Sequence, residues 1–449
     1  METQCKQFEL YLQDGRQRKL VIKNDGAVTS SDGGLIILSR IEQRKKWIQR
    51  LSECFQDMRK SSRITFSIEV LLKQLIYGLA QGYEDLNDHD TWRNDPMLTL
   101  ACGLQPFKDR GAGKSTLSRL QLSQMDIEDR YKKLGIDEKK LQNLLVEIFL
   151  ESQADEPTQI ILDFDSSDIP LHGEQEGRFF HGYYDEYCYL PLFCFCDKWP
   201  LLVQLRTADN DGATGVLEAL QWMVPLIRKK WKNTNIIFRA DSGFCRDAIL
   251  TWIENQNNMF YVVGLARNSR LEKEISSELL VMEVVCNIKK QAQRMFKEFP
   301  WQTQDSWSCK RRVVAKAEVL PGKTNPRFIV TNISQKCWPA QELYEKLYCA
   351  RGDMENRIKE HQLQLFSVRT SSHLLKANQV RLWLSTFAYL FFVELRENVW
   401  QSQEASHWEP STIRSRVLKV ATVVSVSTRR IVIQIPRSYP WWEWFSKAV

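Results

Sequence analysis

The order of apolar runs between residues 159 and 265 limits the possible folds more than any other feature of this sequence. Three short β-rich runs come first, close enough in the chain to form an antiparallel meander. A helix, a strand, a second helix and a last strand follow, within "GVLEALQWMVPLIRKKW" to "FYVVGLA". Strands that alternate with helices build an α/β core. The sequence therefore predicts such a core.

Helical periodicity dominates the region before this core. Stretches such as "IEVLLKQLIYGLAQGYEDL" predict a mainly helical N-terminal domain over residues 1–155. The first part of the core then covers 156–267, and alternating runs in a basic region predict a β-rich insertion over 268–335. Long helical patterns predict the second part of the core over 336–396. Residues 397–449 are expected to be a basic C-terminal segment with a terminal β-hairpin.

Charge and cysteine content narrow the class of protein. The net charge of +7 is mild, but the run from Ser411 to Arg437 contains six basic residues and no acid, which favours either a polyanion or a solvated basic face. The 11 cysteines include no Cys-x-x-Cys pair for zinc, and an odd number without a secretory leader fits a reducing cytosol. The apolar stretch Leu382–Val393 is too short to span a bilayer. We therefore expect a cytoplasmic protein without a membrane partner.

The stretch "KDRGAGKSTLSRLQ" is similar at its centre to the end of a phosphate-binding loop. Such a loop needs a glycine at position 108, where this chain has Lys108, and a buried strand before it, where this chain has "ACGLQPFKDR". The sequence instead predicts a turn at Gly111 and Gly113 and a helix capped by Ser115. An ATPase that binds ATP through Lys114 is therefore a remote alternative.

Three aspartates lie where two predicted strands end. Asp163 and Asp165 project from the same side of "IILDFD", and Asp241 follows the strand in "NIIFRADSGF". An acid at the carboxyl edge of a buried strand is costly unless it pairs or binds a cation, and open α/β sheets bind ligands at these edges. For one such strand, a turn or helix-capping aspartate is the more common explanation. Two such strands in one sheet favour a binding site.

A further acid lies on the long helix that the sequence predicts over about residues 339–366. Tyr348, Arg351 and Glu355 are spaced i, i+3 and i+7, so they project from one helix face. A surface ladder in which Lys359 pairs with Glu355 is the alternative. Together with the strand-end aspartates, Glu355 completes a set of hard oxygen ligands without His or Cys, which suits Mg²⁺ or Mn²⁺. Two such ions stabilise the attacking and leaving oxygens of a phosphodiester.

With these motifs the sequence resembles the DDE transposases of bacterial insertion sequences, in the group that has an RNase H-like core, a β-strand insertion and a Tyr-x2-Arg-x3-Glu signature. The matching stretches are "DFDSSDIPLHG", "EGRFFHGYYDEYCYLPLFCF", "RADSGFCR" and "YCARGDMENRIKEHQLQLF". The N-terminal "GYEDLNDHDTWRNDPML" and "KSTLSRL" are typical of one subfamily, so the resemblance covers nearly the whole chain. It implies an α/β RNase H-like catalytic core with a β-rich insertion, preceded by a helical N-terminal domain.

The resemblance implies, position by position, that Asp165, Asp241 and Glu355 are the catalytic and metal-binding triad. The family pattern of an aspartate followed by a small residue and then Ser or Thr matches Asp165, which makes it the preferred first ligand over Asp163. The implied cofactor is Mg²⁺ or Mn²⁺, as two ions.

The resemblance also implies three DNA contacts near the scissile phosphate. Tyr348 and Arg351 match the signature directly. The signature usually ends in a lysine seven residues after the glutamate, where this chain has Gln362. Lys359 projects from nearly the same helix face and can supply that cation instead.

The function implied is that of a transposase which binds the terminal inverted repeats of its insertion sequence and catalyses metal-dependent cleavage and strand transfer. Its partners would be double-stranded DNA, in the repeats and the target, and a second copy of the chain in a homodimer. Its place would be the bacterial cytoplasm, on the nucleoid. An RNase H-like nuclease without strand transfer and a non-catalytic DNA-binding protein are the alternatives, and the intact triad argues against the latter.

Overall fold

The N-terminal third of the chain consists mainly of helices. The computed structural model describes residues 8–11, 19–24, 26–123 and 133–449. Strands β1 (Phe8–Tyr11) and β2 (Lys19–Ile22) pair antiparallel. The elements up to residue 152 are β3 (Thr29–Ser30), α1 (Leu35–Lys45), α2 (Trp47–Ser52), β4 (Phe55–Asp57), the 3₁₀ turn Ser61–Arg63, α3 (Ile68–Gln81), α4 (Asp88–Trp92), α5 (Pro96–Ala101), α6 (Lys114–Gln121), β5 (Leu134–Ile136) and α7 (Glu138–Ser152).

Helix α3 illustrates how local sequence defines these elements. It begins after Ser67, whose side chain accepts a hydrogen bond from the Val70 N–H. It ends at Gly82, where φ is 92°, a left-handed conformation that glycine adopts without steric cost. Both ends of the helix are therefore encoded in the residues that flank it.

The GAGKST stretch forms no phosphate-binding loop. In the described part of the chain no strand leads into it, because α5 and irregular backbone precede it. Helix α6 begins at Lys114 with Gly113 as its N-cap, so the expected cap at Ser115 is wrong by two residues. The carboxylate of Asp90 accepts from the Lys114 N–H at 3.1 Å, so a side chain distant in sequence provides the cap. The Lys114 ammonium donates to Asn87 at 2.9 Å.

A mixed sheet forms the centre of the molecule. Its first elements are β6 (Gln159–Ser166), β7 (Ile169–Pro170), β8 (Phe179–His181), β9 (Glu186–Tyr189), β10 (Leu192–Cys196), β11 (Trp199–Gln204), α8 (Val216–Lys230), β12 (Asn235–Ala240), α9 (Asp247–Glu254) and β13 (Met259–Leu265). Strands β6, β10 and β11 are antiparallel neighbours, which confirms the predicted meander. Strand β12 lies parallel to β6 and to β13. The chain therefore has the predicted mixed α/β fold.

The region predicted as a β-rich insertion extends this sheet. It contains α10 (Ser269–Glu274), α11 (Ser276–Lys289), β14 (Gln293–Trp301), β15 (Arg311–Leu320), β16 (Lys323–Thr324) and β17 (Arg327–Thr331). Strand β17 pairs antiparallel with β13, and the sheet order is β11-β10-β6-β12-β13-β17-β15-β14. Helix α11 packs on β14 and β15. The insertion therefore shares the sheet of the core and has no separate one.

The last third of the chain is helical up to a short hairpin. Its elements are α12 (Ala340–Glu342), α13 (Gly352–Lys359), α14 (Leu375–Glu394), α15 (Gln403–Ser406), α16 (Pro410–Ile413), β18 (Thr422–Val426), β19 (Ile431–Gln434) and α17 (Trp442–Ala448). π-helical turns at Leu343–Tyr348 and Glu360–Gln364 and a 3₁₀ turn at Cys349–Arg351 join α12 and α13 into one helix, here called the 340–364 helix. The long helix and the terminal β18–β19 hairpin are thus confirmed.

Tertiary contacts use part of the basic C-terminal run. Arg414 donates to the carbonyl of Ala80 at the end of α3, at 2.7 Å, and Lys419 pairs with the buried Asp32 at 2.7 Å. Strand β18 also pairs with β3, so the C-terminal segment lies against the N-terminal helices. Arg429 and Arg430 remain exposed at the hairpin turn. The density of charge in the sequence therefore overstates the charge that this segment presents to solvent.

One contiguous apolar core connects the N-terminal helices with the sheet. Helix α14 lies between them, and its residues from Ala377 to Glu394 are buried on every side. Tyr77 of α3 packs edge-on against Phe391 of α14. Trp444 of α17 packs against Trp408, with ring centroids 4.8 Å apart. Across the described residues, α14 included, no helix has the length and apolarity needed to cross a lipid bilayer.

Candidate active site

The three predicted acids of the triad line one pocket. Asp165 lies at the end of β6, Asp241 follows β12, and Glu355 projects from the 340–364 helix. The pocket has a volume of about 540 Å³ and also contains Arg351 and Lys359. Parallel strands β6 and β12 end at the same edge of the sheet, which brings the two aspartates together, and packing of the helix adds the glutamate.

Asp165 is more buried than Glu355. Its side chain is 13% exposed, and its Oδ1 accepts from the Ser166 N–H at 2.9 Å. Burial raises the pKa of Asp165 to about 6, the guanidinium of Arg351 opposes this rise, and the negative charges of Asp241 and Glu355 add to it. Burial and the neighbouring acids therefore disfavour the ionised form of this carboxylate, and the positive charge of Arg351 favours it.

Arg351 supplies that positive charge in this structure. Its guanidinium donates to Asp165 Oδ2 at 2.9 Å and to Glu355 Oε1 at 3.1 Å. Burial opposes its charge, but Asp165 and Asp241 more than offset this and raise the pKa of Arg351. Glu355 is half exposed at its side chain, so the second ion pair is the weaker one. Arg351 therefore bridges two acids that come from different elements.

Asp241 is held by its own turn and by close packing behind it. Its Oδ1 accepts from the Gly243 N–H at 2.8 Å. Behind this turn, a Cβ placed on Gly264 of β13 would lie 2.7 Å from the Tyr348 hydroxyl and 2.7 Å from the Ser242 nitrogen. Only glycine fits at position 264 without a shift of these groups. Tyr348 projects from the 340–364 helix, and its hydroxyl lies next to Gly264. Burial raises the pKa of this tyrosine.

Asp163 has different surroundings. It is 4% exposed and forms a two-point ion pair with Arg239 of the adjacent β12, at 2.5 and 2.6 Å. The same guanidinium donates to the carbonyl of Leu347 at 2.6 Å. Asp163 does not line the pocket of Asp165. The acid that the sequence left as an alternative is thus already paired with a buried arginine.

Gln362 occupies the position where the family signature usually has lysine. Its amide nitrogen donates to the Ser167 hydroxyl at 3.1 Å and to the Asp168 carbonyl at 3.0 Å. The side chain is buried at the pocket wall and ties the helix to the loop after β6. Lys359 lies one turn earlier and is exposed. The lysine that lines this pocket is therefore Lys359, whereas Gln362 holds the loop that follows Asp165.

Two residues of the site were not found from the sequence. Arg206 is 7% exposed and donates to the Ser166 hydroxyl at 2.7 Å, which fixes the residue next to Asp165. No motif marks it, because its contacts are made across the sheet. Gly264 was detectable, since an isolated glycine inside a strand often indicates close approach of another group.

The side chains of the pocket fit a divalent cation by their chemistry. Asp165, Asp241 and Glu355 offer only hard oxygen donors, of the kind that Mg²⁺ and Mn²⁺ prefer. Asp168 also lines the pocket, so four carboxylates face the cationic side chains of Arg351 and Lys359, of which Lys359 is exposed. As positioned here, with Arg351 between two of them, no three His, Cys, Asp or Glu side chains of the described residues lie close enough to hold an ion. Ligation of one ion by all three acids would therefore need their side chains to move from these positions.

The α/β fold and the pocket of carboxylates at the ends of its strands place the chain in the broad class of α/β proteins that bind ligands at this edge of the sheet. Within that class, the family model described as Transposase DDE domain group 1 matches residues 12–449, so the chain belongs to this transposase family. Enzymes of the family act in DNA transposition and generally use divalent metal ions. A search among curated proteins finds no match. A solved structure titled "Cryo-EM structure of piggyBac transposase synaptic complex with hairpin DNA (SNHP)" is 12% identical, covers 86% of this chain and 79% of that chain, and has a TM-score of 0.42.

Proposed function

We propose that this transposase cuts DNA at the terminal inverted repeats of its own insertion sequence and joins the ends to a target. The single observation that supports the proposal best is the convergence of Asp165, Asp241 and Glu355 on one pocket from two strands and a helix. The family membership gives the reaction class, and the pocket gives the acids that such a reaction needs.

The catalytic body, in this proposal, is an RNase H-like core with a β-rich insertion. Strand β6 lies inside the sheet with β10 and β11 on one side and β12 and β13 on the other, and β6, β10 and β11 together form the antiparallel meander. The insertion strands enter between Asp241 and Glu355, where the family resemblance implies an insertion. The bacterial origin and the place of the protein on the nucleoid belong to the same proposal.

Asp165, Asp241 and Glu355 are the residues that would hold Mg²⁺ or Mn²⁺. When bound, such ions supply Lewis acidity that polarises the phosphodiester and lowers the pKa of a bound water. The chain itself orders this set through the Ser166 and Gly243 amides and through the close packing at Gly264. These contacts orient Asp165 and Asp241 before DNA arrives, which reduces the cost of assembling the site.

Arg351, Tyr348 and Lys359 would contact the DNA near the scissile phosphate. Arg351 can release its carboxylate partners and bind a DNA phosphate instead. Its charge stays paired in this exchange, because carboxylate and phosphate oxygens both accept hydrogen bonds from a guanidinium. Lys359 is exposed at the rim of the pocket and can add a further phosphate contact. A homodimer on paired element ends completes the proposal.

The test measures cleavage and end joining on DNA that carries the element's ends, with Mg²⁺ or Mn²⁺ added. The variants Asp165→Asn, Asp241→Asn and Glu355→Gln keep side-chain shape and remove the negative charge. We expect each to lose both steps while it still binds the DNA in a mobility-shift assay. Cleavage without joining in the wild type would favour a nuclease, and full activity in all three variants would show that the catalytic site lies elsewhere.

A matched control uses the acid two residues away. Asp163→Asn changes the same strand and the same residue type, but this acid pairs with Arg239 and does not line the pocket. We expect folded Asp163→Asn protein to cleave the DNA. If instead Asp163→Asn is folded and inactive while Asp165→Asn cleaves, the first ligand is Asp163.

A further inference from the structure

The loop between α5 and α6 presents a phenylalanine to solvent in a backbone conformation that costs free energy. Phe107 is 52% exposed, and its φ is 67°, in the left-handed region. Bulky side chains rarely adopt this region, because Cβ then lies too close to a backbone carbonyl. Such strain persists only where the surrounding structure imposes it, and it concentrates at functional sites. The loop therefore keeps an aromatic ring in solvent at a cost in stability.

Hydrogen bonds within the loop impose this conformation. Pro106 and Phe107 are the two central residues of a turn. The Lys108 N–H closes this turn by donating to the Gln105 carbonyl at 3.2 Å. A positive φ at the second central position of a turn is normally taken by glycine or asparagine. The Asp109 carboxylate accepts from the Gln105 N–H at 2.8 Å and stabilises the turn from the other side. The ring of Phe107 is therefore presented by a closed turn.

The end of the loop is anchored in the core of the N-terminal region. The side chain of Gln74 in α3 is fully buried. It accepts from the Ala112 N–H and donates to the Ala112 carbonyl, both at 2.8 Å. The Gly111 N–H donates to the Arg93 carbonyl at 2.8 Å. A loop that is fixed in this way loses little conformational freedom when it binds a partner.

Basic side chains flank the exposed ring. Lys108 and Arg110 lie in the same loop, and both are exposed. Arg110 lines a pocket of about 420 Å³ together with Arg93, whose buried Nε has no hydrogen-bond partner among the described residues. Asp90, the acid of this pocket, is already paired with Lys114. An exposed aromatic ring beside a cationic pocket suits duplex DNA, because the cations can hold its phosphates.

We propose that Phe107 is a DNA-bending wedge, which enters the minor groove of a duplex and inserts between two base pairs while Arg93 and Arg110 hold adjacent phosphates. Apolar wedges of this kind unstack one base step and kink the duplex by roughly 20–90°. The strained turn suits this role, because a ring already held outward needs no rearrangement on binding. The inference takes its ligand, DNA, from the proposed function, but its residues lie outside the pocket of Asp165.

The test measures the bend of a duplex that carries one element end and a fluorophore at each terminus, with EDTA in place of metal so that no cleavage interferes. We expect energy transfer to rise when the wild type binds, and 2-aminopurine at one base step to brighten as that step unstacks. Phe107→Ala should bind about tenfold more weakly and leave the duplex straight. Phe107→Leu should still bend it, because leucine also acts as a wedge.

Two further variants separate the wedge from a role in folding and from the phosphate contacts. Glycine adopts a positive φ freely, so Phe107→Gly should melt at the temperature of the wild type or above it and yet fail to bend the DNA. Arg110→Gln should reduce the slope of log affinity against log salt concentration by about one. Trp442→Ala is the matched control, since Trp442 is 55% exposed on α17, and it should bend DNA like the wild type.

The inference is overturned if the wild type leaves the bound duplex straight, or if Phe107→Ala bends it as the wild type does. It is also overturned if Phe107→Gly melts at a markedly lower temperature, because the ring then serves folding. Cleavage in Mg²⁺ without a bend that depends on Phe107 would support the proposed function alone. A bend that depends on Phe107, without any cleavage in Mg²⁺, would support the wedge alone.

Discussion

Strand β6 carries two aspartates, Asp163 and Asp165, and each forms an ion pair with an arginine. The two ion pairs differ in their surroundings. Around Asp163, the arginine comes from the adjacent strand, and both partners are less than 10% exposed. Around Asp165, the arginine comes from a helix and divides its hydrogen bonds between two acids in an open pocket. The first pair is closed to solvent and the second faces it.

This difference shows what separates a structural ion pair from a site that can change partners. Arg239 makes two bonds to one carboxylate and a third to the Leu347 carbonyl, so its removal or movement would strand a buried charge. Arg351 makes one hydrogen bond to each of Asp165 and Glu355, so either acid can bind another cation in its place. The residue types are the same, and the number and burial of the contacts decide the role.

The largest expected effect is on catalysis at Asp165. Asp165→Asn should lower cleavage by roughly a thousandfold or more, because a neutral amide cannot hold the cation that the reaction needs. The variant should be at least as stable as the wild type, since it removes a charge that burial disfavours. Single-turnover cleavage and urea unfolding measure the two quantities. If Asp165→Asn loses stability as well as activity, Asp165 has a structural role like that of Asp163, and the two ion pairs do not differ as described.

The second effect is on stability at Asp163. Asp163→Asn should lower the free energy of unfolding by about 3 kcal/mol, because the buried guanidinium of Arg239 loses its counter-charge. Urea denaturation followed by fluorescence gives the value. The double variant Asp163→Asn with Arg239→Gln is the control and should recover part of the loss. A change below about 0.5 kcal/mol, typical of surface sites, would mean that the pair is not structural.

A smaller effect is expected at Arg351. Arg351→Gln should reduce cleavage about ten- to hundredfold, because one or two charge-assisted hydrogen bonds to a phosphate are lost. Because this arginine is not part of a closed pair, its loss should change the unfolding midpoint less than loss of Arg239 does. Cleavage rates and thermal unfolding of Arg351→Gln and Arg239→Gln, measured side by side, test this. Equal destabilisation would show that both arginines are structural.

The smallest effect concerns Gln362. Gln362→Lys should lower the free energy of unfolding by about 1 kcal/mol, since the hydrogen bonds of the amide to Ser167 and Asp168 are lost. The lysine adds a cation to the pocket wall, so DNA binding should tighten at low salt and weaken more steeply as salt is added. Urea unfolding is the measurement, and Gln362→Glu serves as the matched control. An unchanged midpoint would mean that the amide does not hold this loop.

The strand order and the candidate acids were accessible from the sequence because both are local signals. Alternation of apolar residues identified β6, β12 and β13, and the polar residues after β6 and β12 identified Asp165 and Asp241. The long helix and the terminal hairpin followed from the same kind of pattern. The triad itself, the metal ions and the DNA contacts stay predictions until the variants are measured.

Local signals failed where a distant residue decides the outcome. The cap of α6 comes from Asp90, 24 positions away, so the sequence placed it at Ser115. The basic C-terminal run indicates either a polyanion contact or a solvated basic face, whereas Arg414 and Lys419 bind a helix end and a buried aspartate of the N-terminal region. In both cases the partner is brought in by packing.

By itself, the sequence determined the α/β class, the course of its strands and the positions where acids end them, because each depends on residues adjacent in the chain. The tertiary structure alone decided which aspartate is paired with a buried arginine and that Arg351 lies between two acids. Those outcomes depend on which elements lie next to each other, since burial and charge pairing are set by neighbours in space.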